Sequence, residues 1–407
     1  MSRPISERGA AALRHLDLVT VGAVVGLICM GLVAVFTSFS ATIDPDRGDS
    51  FLAGGQLFNR QLVFVVIAAA IMVASVLTDY RYLKVYAVFM YVVCLVLLIA
   101  VLTPLADSIK GSQRWISLGV LKLQPSEIAK PVLAATLGAY ISERRGYLDL
   151  QDVLRCIGIV LPYAVLVFLQ PDFGTMLVLS WILLVMLVIG GAGWRQIVVL
   201  ISIGTIGVAG LFQLGVVQDY QRTRLEAFLD PKRDPTRTGY NYLLTRQAVG
   251  NGGLTGTGIN FLKREEPSAL SASPGPAAPG APERLALTTN LQFVPERHTD
   301  FVFTVLAEQM GFLGGATLIA LYGTIFVRGL RAAGQARDPF GALIATGLVG
   351  YMAFQVFVNI GMTVGLVPIT GIPLPFVSYG GSSLVASALA VGALLSVQVR
   401  RFARPLA

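Results

Sequence analysis

Residues 16–39 read LDLVTVGAVVGLICMGLVAVFTSF, and their one ionisable side chain is Asp17. A helix needs about 20 mostly apolar residues to cross the hydrocarbon core of a bilayer, so this stretch is long enough to span. Arg3, Arg8 and Arg14 precede it, as basic residues precede a signal peptide. The apolar run is longer than a typical signal core, however, and no clear small-x-small cleavage site follows it. The segment therefore reads as a retained transmembrane helix.

Working outward, comparable runs recur at roughly 60–78, 82–102, 125–142, 153–169, 174–190, 194–214, 301–328, 340–366 and 379–400. With 17–39 they predict an all-α, polytopic integral membrane protein of about ten helices, one membrane domain over 1–407. The runs at 125–142 and 153–169 contain Glu127, Lys130 and Pro162. Ionisable residues at membrane depth cost several kcal/mol on insertion scales, so these helices predict a bundle with a polar interior. The whole chain is 55% hydrophobic and 13% charged, against about 25% charged in soluble domains. That excludes a soluble enzyme on a single anchor.

The short loops set an orientation. With the N-terminus inside, the cytoplasmic segments carry Arg81, Lys84, Arg144, Arg145, Arg155, Arg195, Arg328, Arg331, Arg337, Arg400, Arg401 and Arg404. The short outer loops mix Arg47, Arg60, Lys110, Arg114 and Lys122 with Asp44, Asp46 and Asp49. The bias places both termini in the cytoplasm and accounts for most of the net charge of +8, with no nucleic-acid partner expected. One segment, 215–299, forms a large extracytoplasmic loop between the seventh and eighth helices. Within it, PSALSASPGPAAPGAPE (267–283) lacks the apolar content to fold and reads as a disordered insert.

Cys29, Cys94 and Cys156 have no paired spacing, and His15 and His298 are the only histidines, so neither a disulfide framework nor a zinc pattern is present. No GxxxxGK[ST], HExxH or GxSxG motif occurs. An enzyme of this kind must take a substrate that arrives already activated, without a bound nucleotide.

Chemistry-bearing residues cluster at predicted helix ends. In NLQFVPERHTDFVFTVLAEQMGFLGG (290–315), Asp300 enters the eighth helix and Glu308 follows at i+8, roughly on the same face. A carboxylate there suits a general base or a cation site, or a simple helix cap. In GSQRWISLGVLKLQPSEIAKP (111–131), Glu127 and Lys130 stand at i, i+3 and can pair. They make either a structural salt bridge or a cation facing an anionic substrate. Arg60 is a snorkelling anchor or a site residue. Asp172 in LQPDFGT (169–175) is a cap or a site residue. LPFVSYGGSS (374–383) opens the last helix with Ser378 and small residues, suited to an anion or to close helix packing.

Together, WISLGVLKLQPSEIAK (115–130), LQPDFGT (169–175), GYNYLLTRQAVGNGGLTGTG (239–258), FVPERHTDFVFTVLAEQMGFLG (293–314) and LPFVSYGGSS (374–383) resemble the SEDS (shape, elongation, division and sporulation) family of RodA and FtsW. The forms PERHTDF, QPDFGT and GYN are closer to RodA. The resemblance spans nearly the whole chain. It implies a peptidoglycan glycosyltransferase that polymerises lipid II into β-1,4-linked strands at the outer face of the cytoplasmic membrane, beside a class B penicillin-binding protein.

The resemblance also implies that Asp300 is the essential carboxylate, and that Lys130, Glu127, Arg60, Ser378 and Asp172 line or support a substrate cavity. An α-linked donor giving a β product calls for one inverting displacement, with Asp300 as general base on the acceptor 4-hydroxyl. The leaving pyrophosphate needs cationic compensation. Lys130 and Arg60 are the first candidates, Arg222 and Arg224 weaker ones, and a divalent cation (Mg or Mn) a further one.

The chain departs from the family pattern at the 267–283 insert and at Thr255 or Thr257, where a lysine is often found. The latter puts a phosphate-binding role for the glycine-rich stretch in doubt. The competing class is a lipid II flippase. Transporters usually show related halves, and no internal repeat is visible here. A third class is a scaffold for the transpeptidase, in which Asp300 would be expendable.

Overall fold

The computed structural model describes residues 16–40, 51–104, 106–109, 112–118, 121–144, 146–213, 219–230, 238–258 and 299–401. In chain order the helices are α1 (Leu18–Ser40), α2 (Phe51–Leu77), α3 (Arg81–Val85), α4 (Ala87–Val101), α5 (Pro125–Ile141), α6 (Leu150–Leu169) and α7 (Phe173–Ile189). There follow α8 (Trp194–Gln213), α9 (Asp219–Leu229), α10 (Thr238–Asn251), α11 (Val302–Gly334), α12 (Pro339–Val364) and α13 (Gly381–Arg400). Among the described residues, six helices are long and apolar enough to cross a membrane: α1, α2, α6, α11, α12 and α13. Three shorter apolar helices, Ala87–Val101, Phe173–Ile189 and Trp194–Gly207, accompany them. The protein is thus a multi-pass, helical membrane protein.

Helix α5 joins neither group, because Glu127, Lys130 and Pro131 lower its hydropathy. It is nonetheless buried along most of its length and packs against α4, α7, α12 and α13. A helix screened from lipid by its neighbours need not be apolar all round. Its start is encoded locally, with Pro125 in the first turn and Glu127 near the positive end of the helix dipole.

Beside the helices the chain forms one small three-stranded antiparallel sheet, β1 (Asp107–Ile109), β2 (Ser112–Leu118) and β3 (Leu121–Leu123). The paired strands satisfy each other's backbone groups, which unpaired chain would leave to water. The segment 215–299 carries α9 and α10. The 267–283 insert and His298 lie outside the described residues.

At the end where α2 and α13 finish, polar locks hold the helices together. Arg400 donates to the Val76 and Leu77 carbonyls at 3.0 and 2.8 Å and pairs with Asp79 at 3.4 Å. Asp17, buried just ahead of α1, accepts from Arg328 of α11, from Thr20 at 2.7 Å and from Gln398 of α13 at 3.0 Å. Burial works to raise the Asp17 pKa, but these hydrogen bonds outweigh it and hold the carboxyl well below the usual range. Such a depressed carboxylate contributes stability above its unfolded pKa near ~3.9 and loses it as pH falls toward the lower folded value. Asp17→Asn is therefore expected to destabilise the protein by about 3 kcal/mol at neutral pH, the low end for removing one partner of a buried pair. Thermal unfolding in detergent checks this, and the gap to wild type should narrow below about pH 4.

Candidate active site

The opposite end of α13 is organised by the segment between α12 and α13. Helix α12 stops at Gly365 in the left-handed conformation (φ 88°), and the chain turns back into the bundle. Leu374, Phe376 and Val377 are buried there. A buried segment must have its backbone satisfied. Here Ser378 Oγ accepts from the Leu374 amide at 2.8 Å and donates to the Thr299 carbonyl at 2.6 Å. The Tyr322 hydroxyl of α11 donates to the Pro375 carbonyl. Helix α1 allows the segment in at Gly31, where a Cβ would stand 2.7 Å from Val377 Cα.

Asp300 sits against this segment, half-exposed. It is not the N-cap of α11: that position is Phe301, which makes no side-chain cap. A Cβ at Gly371 (φ 73°) would lie 3.3 Å from Asp300 Oδ2 and 3.7 Å from Arg224 Nη1. The carboxylate and the guanidinium thus both abut the space that this glycine leaves open. Arg224 also donates to the Ile369 carbonyl at 3.4 Å. Arg224 comes from α9, which is fixed overhead by a small apolar cluster in which Phe228 and Tyr242 pack on Phe301, Met362 and Ile369. Beneath, Asn359 of α12 donates to the Asp300 carbonyl at 2.9 Å and to the Ile372 carbonyl at 2.7 Å.

The glycine-rich stretch 250–258 packs backbone to backbone against α11. Helix α11 is broken at Gly311 (φ 63°, ψ −161°), and residues 252–258 splint the break. Thr257 and Gly258 amides donate to the Glu308 and Gln309 carbonyls at 2.9 and 3.1 Å. The Phe312 and Leu313 amides donate back to the Gly253 and Leu254 carbonyls at 2.8 and 3.1 Å. Backbone approaches backbone so closely that a Cβ at Gly252 or Gly256 would lie 2.0 or 2.1 Å from a carbonyl oxygen. Glu308 lies under this splint, buried, its Oε2 without a hydrogen-bond partner among the described residues.

The remaining candidates line the same end of the bundle. Asp172 caps α7, accepting from the Thr175 amide at 3.1 Å and hydroxyl at 2.9 Å, and it faces Arg114 of β2 at 3.9 Å. Its turn meets the segment between α12 and α13, since a Cβ at Gly174 would stand 2.7 Å from the Thr370 carbonyl oxygen. Ser382 ties β3 to α13, donating to the Lys122 carbonyl at 2.9 Å and accepting from the Gln124 amide at 2.8 Å. Lys130 and Glu127 form a buried ion pair at 2.6 Å. Arg60 is exposed near Tyr379: burial holds the Tyr379 hydroxyl above its ordinary pKa, and Arg60 works against that shift. Hydrogen-bonding residues that the sequence reading missed include Asn359 and Tyr322. A carboxamide inside the apolar run of α12 was the available signal, because polar side chains in spans bond across helices.

Against known proteins, the family model for the FtsW, RodA and SpoVE cell cycle proteins matches residues 18–268 and 284–402. The chain belongs to the FtsW/RodA/SpoVE family. It is 33% identical to the stage V sporulation protein E of Bacillus subtilis over 94% of this chain and 96% of that protein. It is 34% identical to the peptidoglycan glycosyltransferase MrdB of Escherichia coli over 86% of this chain and 88% of that one. Among solved structures, a chain of a peptidoglycan synthase complex that coordinates polymerization and crosslinking superposes with a TM-score of 0.74 at 28% identity, covering 96% and 99% of the two chains. The rod-shape-determining protein RodA of Thermus thermophilus superposes with a TM-score of 0.64 at 27% identity, covering 96% and 98%. This FtsW/RodA/SpoVE protein is a membrane-bound glycosyltransferase of peptidoglycan synthesis.

Proposed function

We propose that the protein polymerises lipid II into β-1,4-linked glycan strands at the outer face of the cytoplasmic membrane, with Asp300 as general base. The observation that carries this reading is Asp300 Oδ2 at the space beside Gly371, with Arg224 at its edge. A carboxylate takes the proton from the attacking 4-hydroxyl, and the guanidinium offsets charge developing on the departing pyrophosphate. Ser378 and Asp172 support the walls of the substrate site. Arg60 and the Glu127–Lys130 pair lie along the path of the substrate.

The finer topology belongs to the same proposal. Ten spans comprise the six long helices, the three shorter apolar ones and α5, with both termini cytoplasmic. The sheet, α9, α10 and a large loop between the seventh and eighth spans lie outside. The chain is one membrane domain, and the family match, which passes over residues 269–283, supports reading 267–283 as an insert. The partner is a class B penicillin-binding transpeptidase, supported by the likeness to a chain of a peptidoglycan synthase complex.

A divalent ion, Mg or Mn, would compensate pyrophosphate charge. The described residues gather no group of three His, Cys, Asp or Glu side chains. Such an ion would be carried largely by the substrate's phosphates, as Mg commonly is.

The test is purified protein with its transpeptidase and lipid II, assayed for glycan ladders, beside liposomes assayed for lipid II transfer between leaflets. Ladders from wild type are the expected result. Transfer without ladders would instead make the protein a flippase. Within the same assay, Arg224→Gln is expected to lower kcat by about 10²-fold or more, the scale seen when one charge-stabilising donor is removed.

A further inference from the structure

Asn359 stands in the last third of α12, fully buried. A carboxamide is expensive inside a membrane bundle unless its hydrogen bonds are made. Both of its N–H groups are used, on the carbonyls of Asp300 (2.9 Å) and Ile372 (2.7 Å), while Oδ1 has no partner among the described residues. The side chain therefore serves as a two-pronged donor. The opposite amide orientation would set an acceptor against two acceptors.

The two carbonyls matter because of what they belong to. One is the backbone of Asp300 itself. The other follows Gly371, the residue that leaves space beside Asp300 Oδ2. One rigid helix side chain thus fixes the distance between the carboxylate and the wall it faces. Ser378 holds the preceding carbonyl, that of Thr299, from the segment between α12 and α13 rather than from a helix interior.

We propose that Asn359 is a positioning residue that sets the reach of the Asp300 carboxylate. This rests on the reading of Asp300 as the base. Proton transfer is sensitive to placement, and a displacement of about 1 Å can cost on the order of 100-fold in rate. Losing the clamp should therefore lower the chemical step and leave binding of the lipid-linked substrate alone.

The test uses the full chain with its transpeptidase partner and compares wild type with Asn359→Ala, Asn359→Asp, Asp300→Asn and the control Gln355→Leu. Gln355 is buried one turn earlier on the same helix, with Nε2 unpaired among the described residues. Folded Asn359 variants are expected to lose about 10- to 100-fold in kcat with KM for lipid II within about 2-fold. The acid limb of their pH–rate profile should move, because the base sits in altered surroundings. Gln355→Leu should keep both parameters.

If Asp300→Asn works at the wild-type rate, the reading of the base fails and this proposal with it. If Asp300→Asn is dead while folded Asn359→Ala keeps its kcat and pH profile, only the role of Asn359 is overturned. Equal losses in Gln355→Leu, or failure of both Asn359 variants to fold, would make the residue a structural one and overturn the proposal as well.

Discussion

Asp300→Asn is expected to leave a folded protein that no longer makes glycan strands, with the rate down by about 10²–10⁴-fold, the range a general base contributes. The substitution keeps the side-chain shape and removes its basicity. It leaves the backbone clamp intact, because Asn359 bonds the Asp300 carbonyl and not its carboxylate. It also spares the start of α11, whose N-cap is Phe301. Thermal stability should stay within about 1 kcal/mol of wild type, as for substitutions that break no cap or core contact. Initial rates on lipid II, paired with melting curves, decide the matter. A wild-type rate would remove Asp300 from the chemistry, and a large melting shift would make it a structural residue.

Gly256→Ala carries the largest expected effect on stability. The residue adopts φ 83°, and its Cβ would lie 2.1 Å from the Gln309 carbonyl oxygen and 2.6 Å from the Met310 nitrogen. The facing backbone of Gln309 and Met310 cannot move away as a flexible side chain would. The left-handed conformation adds about 1–3 kcal/mol to an overpacking cost of about 1–3 kcal/mol. The splint should open, and four hydrogen bonds bridging the α11 break would weaken with it. A fall in Tm on the order of 10 °C follows, with loss of polymerisation because α11 carries the Asp300 turn. Gly250→Ala is the matched control: it lies in α10, with nothing within 4 Å of its Cβ position. It should be neutral or slightly stabilising, as Ala is in a helix. Equal melting temperatures for the Gly256 and Gly250 variants would sink the splint.

The spans were legible where apolar length alone decides the outcome. The run 16–39 crosses a bilayer whatever its neighbours do, and α1 occupies nearly that range, Leu18–Ser40. Helix α5 was legible from its Pro-Ser-Glu start, although its hydropathy falls short. The sheet at 107–123 was not. Its strands are three to seven residues long, too short for a period to stand out, and they exist through pairing with each other. Asp300 can be singled out from its motif, and the cap that Asp172 forms with Thr175 is one of the two roles its motif allows. Asn359 and Arg224 could not be joined to Asp300 from sequence, because 59 and 76 residues separate them from it.

Alone, then, the sequence determined that this chain lives in a membrane, where its long apolar helices lie, and which family it joins. Each of those follows from local composition or from ordered motifs. The tertiary structure decided what the motifs do. The glycine-rich stretch holds a broken helix together, Ser378 pins the turn before Asp300, and Arg224 from a distant helix comes to stand at the same glycine as the carboxylate. Those roles depend on which backbone atoms meet across the bundle. A hydrogen bond requires heavy atoms within about 3 Å, a condition set by packing and not by spacing along the chain.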